Sequence, residues 1–158
     1  MAKRLGDNVQ MNGRLYNNIG ICSLGIAFTL QQVDELSLSE TLLIMPIITH
    51  DKLLQYMARK SSNFQSIEQI MVSKSECFSN FNDRFYDGLV VSINAIQLLE
   101  EIGIIKFDSG IIMSLENIKY ERSMGKRAKK IFNAAPRIAA IIANDNTKNL
   151  YTNLRIKL

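Results

Sequence analysis

This chain predicts a mainly α-helical domain that carries one small β-hairpin, and three observations predict it. From Arg84 to Ile102 the apolar residues Phe85, Leu89, Ile93, Ile96, Leu99 and Ile102 recur at steps of three or four, which places them on one helical stripe. Gly103 then stands where a helix C-cap wants positive φ, and Ile104 to Leu115 is two β-branched runs around Asp108-Ser109-Gly110, a hairpin signal. Pro46 and Pro136 are the only prolines, so long unbroken helices are permitted elsewhere. A helix, a glycine stop and a tight hairpin, in that order, make the second half of a winged-helix-like unit. Such units bind DNA or dock onto other proteins.

The other elements follow from local signals. Residues 1 to 14 are expected to be a mobile arm ahead of a single domain over 15 to 158. Asn17 or Asn18 can cap a first helix that buries Ile21, Leu24, Phe28 and Leu30 and ends near Leu36. Gly20 and Gly25 lie within it, and close backbone packing is the expected reason for both. Ser39 offers the next N-cap, and Pro46 should kink the following apolar run or stand early in a helix. Asp51 is the expected cap of a helix over 52–59, and Ser61 and Ser62 open one carrying Phe64, Ile67, Ile70 and Met71. After the hairpin, Lys119 to about Asn133 predicts a helix that breaks or kinks at Pro136 and resumes through Ile138, Ile141 and Ile142. Asn144-Asp145-Asn146-Thr147 is a stop and a new cap, leading to a short last helix with Leu150, Tyr151 and Leu154.

Composition excludes several classes of function. Cys22 and Cys77 lack a CxxC partner and His50 is the only histidine, so no metal and no other cofactor is expected. There is no glycine-rich phosphate loop, GxSxG or HExxH. Adjacent Glu100 and Glu101 diverge by about 100° on a helix, so they cannot share a reacting atom. The chain is therefore expected not to be an enzyme. Its longest apolar runs, 19–30 and 42–49, are too short to span a bilayer, and its N-terminus lacks the apolar core of a signal peptide. A cytoplasmic protein with no membrane partner is expected.

The formal net charge of +4 conceals an asymmetry. Residues 1–118 hold 9 Lys and Arg against 13 Asp and Glu, whereas residues 119–158 hold 10 against 2. An acidic body with a basic C-terminal quarter implies two surfaces for two partners. The candidate nucleic-acid contacts are Lys119, Arg122, Lys126, Arg127, Lys129, Lys130 and Arg137. On a continuous helix Lys126, Lys130 and Arg137 share one face, and Ala128, Ile131, Ala135 and Ile138 share another. Aromatic residues do not interleave with the cations, so contact with the backbone of double-stranded DNA fits better than single-strand stacking.

Leu42-Leu43-Ile44-Met45-Pro46-Ile47-Ile48-Thr49-His50 resembles the apolar-Pro-apolar-His signature of the middle components of bacterial three-component ABC-ATPase systems. The helix into Gly103, the hairpin and the closing residues Ala139, Leu150, Tyr151 and Leu154-Arg155-Ile156 are similar in the same order, over residues 15 to 158. This chain has Ile19 after Asn18, where the family usually begins its first helix with Asn-Pro, and Arg155 where glycine is common. The resemblance implies a small non-enzymatic partner of an ATPase related to structural-maintenance-of-chromosomes (SMC) and Rad50 proteins, with an effector as third component. The closest version is the accessory subunit of Lamassu-type defence against phage and plasmids, in which DNA is sensed and a nuclease effector released. Pro46, His50, Glu100 and Glu101 are the residues expected at a partner interface.

A free-standing winged-helix transcription regulator is the alternative reading. It would want a helix before the hairpin that reaches base edges. Here that helix carries Arg84, Asp87, Asn94, Gln97, Glu100 and Glu101, an acid-rich set that phosphates would repel. Protein docking is the expected use of that helix.

Overall fold

The computed structural model describes residues 18–158, so the expected arm over 1–14 and the cap position Asn17 lie outside the described residues. Helix α1 occupies residues 18–30 and strand β1 Glu35–Ser37. Short helices α2 (Leu38–Thr41), α3 (Ile44–Ile48), α4 (Asp51–Ala58) and α5 (Ile67–Ser73) follow. The long helix α6 (Phe81–Glu101) leads into strands β2 (Ile105–Asp108) and β3 (Ile111–Ser114), and helices α7 (Lys126–Asn144) and α8 (Thr147–Asn153) close the chain. The three strands form an antiparallel sheet of order β1-β3-β2, with Leu36 opposite Ile112 and Phe107 opposite Ile112 on its other side. The fold is mainly helical, with a winged-helix-like unit made by α6 and the β2–β3 hairpin.

The hairpin forms as its turn chemistry demands. Ser109 and Gly110 have φ of 51° and 81°, the pair of positive angles that a two-residue hairpin turn requires. The sheet is one strand larger than expected, because α1 ends at Leu30 and not near Leu36. The N–H of Asp34 bonds the Leu30 carbonyl, and Asp34 at φ 68° turns the chain out of the helix into β1. A left-handed residue ends a helix whatever the apolar pattern beyond it.

Several caps sit a few residues from where they were expected. Ser37 caps α2 in place of Ser39, in a capping box with Glu40, and Ser66 caps α5 in place of Ser61 and Ser62. His50 caps α4 in place of Asp51. Residues 119–121 are not helical. Gly125, at φ 94°, holds a conformation that opens α7 only at Lys126. Pro136 does not break α7, which runs through it with the proline ring exposed on the outer side.

One continuous core runs through the domain, with Phe28, Leu30, Leu43, Ile44, Ile48, Phe81, Ile131 and Ile138 fully buried. Close helix packing explains one of the two glycines of α1. A methyl at Gly25 would meet Ile48 Cδ1 at 2.6 Å and Ile44 Cγ2 at 3.4 Å, while nothing lies within 4 Å of the same point on Gly20. Packing therefore does not account for Gly20.

The buried stripe of α6 also differs from the expected one. It runs through Phe81, Phe85, Gly88, Ser92, Ala95 and Leu99, with Val91 and Ile96 beside it. Three small residues stand among the large ones, and at Gly88 the reason is that α3 lies close: a methyl there would stand 2.9 Å from Met45 Cγ. Ile93 and Ile102, expected in the core, are 40% and 59% exposed.

Candidate functional site

The basic residues gather at the start of α7, but not all of them. Tyr120 stacks on Phe132 at 5.7 Å between ring centroids, and Phe132 meets Phe28 edge-on at 5.2 Å. Gln31, just past the end of α1, bonds both the N–H and the carbonyl of Ile118 through its side-chain amide. These contacts fasten residues 118–120 to the core and bring the turn Arg122–Met124 onto the first turn of α7. Lys119, Arg122, Lys126, Lys129 and Lys130 are exposed there. Arg127 is half-buried, and its Nε is shut off from solvent with no hydrogen-bond partner. No side chain caps α7, and the bond from Lys129 N to the Gly125 carbonyl is the first of its ladder. The N–H groups of the first turn therefore point out among the cations, at the end of the helix where partial positive charge collects.

Arg137 was expected to extend this ridge, and the structure removes it. Its Nη1 donates to the Met57 carbonyl at 2.9 Å and its Nε to the Ser62 carbonyl at 3.3 Å. The guanidinium closes the C-terminal end of α4 and is half-buried, so it is a structural cation. Arg84 does the same on α6, donating from Nε to the Pro46 carbonyl at 3.2 Å and from Nη2 to the Cys77 carbonyl at 2.7 Å.

The four expected interface residues divide. Pro46 is buried in α3, so it offers a partner no surface. His50 Nδ1 accepts a hydrogen bond from Leu53 N at 3.2 Å, a role only the neutral ring can fill. Burial, and then the Arg84 charge, hold its pKa below the ordinary histidine value. Glu100 is exposed, and its Oε1 accepts from Phe107 N at 3.0 Å on the free edge of the hairpin. That carboxylate occupies a donor which would otherwise invite a further strand. Glu101 is exposed on the outer side of α6.

That outer side carries a feature the sequence pattern hid. Tyr86, Val90 and Ile93 are 44%, 68% and 40% exposed and fall at steps of four and three, one face of the helix. Asp83, Asp87 and Glu101 are exposed on the same side.

Cys22 is buried, and burial pushes its thiol up to about 12, which makes it a poor nucleophile. Cys77 is buried and its pKa is also raised, by desolvation and then by Glu76. Among the described residues, no three His, Cys, Asp or Glu lie where they could hold a metal ion. No described helix is long and apolar enough to cross a membrane.

A long helix feeds a hairpin, and the two long helices carry unlike charge on their outer faces. The chain belongs to the family of ABC-three component (ABC-3C) system middle component 3, whose model matches residues 14–158. The similarity drawn from Leu42–His50, the hairpin and the closing helix thus holds at the level of the middle components. Neither a curated protein nor a solved structure matches the chain.

Proposed function

We propose that this chain is a non-enzymatic adaptor that joins an SMC/Rad50-like ABC ATPase to an effector, a nuclease in the Lamassu-type version, within a cytoplasmic DNA-sensing complex that acts against phage or plasmids. The observation that carries this reading is the segregation of charge between the two long helices of one domain. The start of α7 presents Lys119, Arg122, Lys126, Lys129 and Lys130 around uncapped N–H groups, with Arg127 behind them. Phosphates of double-stranded DNA held near the ATPase heads are the ligand that suits such a surface, through charge and without base reading. The outer side of α6 is acidic and apolar, which suits a protein. A transcription regulator is the weaker reading on the same ground: α6 stands before the hairpin, where a groove-reading helix would be, and Asp83, Asp87 and Glu101 oppose entry between phosphates.

The test is Lys126→Glu, Lys129→Glu and Lys130→Glu combined, in the complex purified with its ATPase. Affinity for duplex DNA should fall, and the slope of log affinity against log salt should drop by about 2 to 3, with assembly intact. Loss of assembly with DNA binding unchanged would instead assign the ridge to an acidic protein surface. The purified chain alone should neither hydrolyse ATP nor cleave DNA. Metal-dependent cleavage by it, abolished by a substitution within it, would overturn the adaptor reading.

A further inference from the structure

We infer that the outer face of α6 is the docking site for an amphipathic helix of a partner subunit, one that flanks its apolar stripe with lysines and arginines. The inference rests on the adaptor reading and names the chemistry of one of its interfaces. Tyr86, Val90 and Ile93 line one side of α6 at the spacing by which helices are read in helix-to-helix recognition. A contiguous exposed apolar stripe on an otherwise well-filled domain marks an interaction site, whereas isolated exposed apolar residues do not.

The stripe is preorganised. The Tyr86 hydroxyl donates to the Lys157 carbonyl, the ring meets Phe85 edge-on at 5.4 Å, and Lys157 N donates to Asn82 Oδ1 at 2.9 Å. The C-terminal residues thus hold the aromatic anchor in place before a partner arrives, which lowers the entropy cost of binding.

Charge decides the occupant. α6 carries four acids, Asp83, Asp87, Glu100 and Glu101, all exposed, and its one cation, Arg84, is turned inward onto the Pro46 and Cys77 carbonyls. Arg155 and Lys157 lie beyond Asn82 in a groove of about 640 Å³ with Val72 and Asp83, at one end of the stripe only. A complementary helix is therefore basic along most of its length and tolerates acids at that end. Nucleic acid is repelled by the same acids. A second copy of this chain is a poor fit, because its basic helix α7 exposes Asn133, Pro136, Ala140 and Ala143 beside its lysines and no large apolar side chain.

The test places a photo-crosslinking residue at Val90 in the complex assembled from the full chain and its ATPase and effector, and maps the linked peptide. The expected product is a segment of a partner subunit with helical apolar spacing and Lys or Arg on its flanks. Val90→Asp with Ile93→Asp should weaken assembly at least about tenfold. Asp87→Lys with Glu101→Lys, acids of α6 away from Arg155 and Lys157, should weaken it mainly at low salt, where unlike charges steer association. Neither pair should change the thermal melt of the isolated chain. Links only to residues 1–17 of the same chain, to a second copy or to DNA would overturn the inference, as would normal assembly of the Val90→Asp, Ile93→Asp variant. That last result leaves the adaptor reading standing. If the unaltered chain forms no complex with the ATPase, both fall.

Discussion

Helices α6 and α7 do the same work inside the domain and opposite work outside it. Each buries one side in the common core, and each turns one arginine inward to bond two backbone carbonyls, Arg84 to Pro46 and Cys77 and Arg137 to Met57 and Ser62. The planar fork of a guanidinium suits this, since it delivers two donors in fixed geometry and stays charged. The consequence lies at the surface. Withdrawing Arg84 leaves α6 with acids alone around an apolar stripe, while the exposed cations of α7 gather in its first two turns, away from Arg137. A charge count along the chain therefore misstates both faces: it credits α6 with a cation and the ridge with an arginine that neither exposes.

The largest expected effect breaks this comparison at its inner side. Arg137→Ala strands the Met57 carbonyl in the last turn of α4 and the Ser62 carbonyl in the loop beyond it, and should cost about 2–3 kcal/mol of stability. Lys130→Ala, seven residues earlier and exposed, should change stability by no more than about 0.5 kcal/mol. Urea unfolding of the two variants compares them directly. If Arg137→Ala were as mild as Lys130→Ala, Arg137 would belong with the ridge after all.

A smaller effect concerns the other end of α4, which His50 caps. His50→Ala should cost about 1 kcal/mol, the usual weight of a side-chain N-cap. The cap also depends on pH, and the sign follows from the lowered pKa of the folded state. Above the ordinary histidine value of 6.5 the ring is neutral in both states and the cap is fully present. Below it the unfolded chain takes up a proton that the folded chain resists, so this stabilisation is lost as pH falls from 6.5 toward the folded-state pKa. The difference between unfolding midpoints of the unaltered chain and His50→Asn, which keeps a capping oxygen, should widen in favour of asparagine between pH 7.5 and 5.

The smallest effect compares how α6 and α8 stop. Both end in the same arrangement, with Ile104 N bonded to the Leu99 carbonyl and Ile156 N to the Tyr151 carbonyl. The left-handed residue is Gly103 at φ 77° in the first and Arg155 at φ 55° in the second. Arg155→Gly should therefore gain about 0.5 kcal/mol and Gly103→Ala lose about 1, because a side chain in this region meets its own carbonyl. Thermal melts of the two variants should shift in opposite directions.

Local chemistry was enough for much of this architecture. The Asp108-Ser109-Gly110 turn, the stop at Gly103, the early place of Pro46 in a helix and the cap at Asn146 all depend on residues adjacent in the chain, and all stand as the sequence implies. Strand β1 was invisible because three residues are too few to carry a period, and their conformation depends on β3, more than seventy residues away. The buried stripe of α6 was misplaced for a related reason. Gly88 faces Met45 of α3, Ser92 accepts a hydrogen bond from the Cys22 thiol of α1 and Ala95 is fully buried, and hydrophobicity cannot distinguish a small buried residue from an exposed one.

The candidate surfaces divide along the same line. Sequence composition establishes that the chain is acidic first and basic last, which follows from covalent order and needs no fold. Which charges reach solvent is a question of tertiary packing, since an arginine long enough to cross a helix will bond any carbonyl that another element leaves open. Arg84 and Arg137 turn inward because α3, α4 and the turn at Cys77 present such carbonyls, and Tyr86, Val90 and Ile93 stay outside because the core covers the opposite side of α6, where Gly88 lets α3 approach.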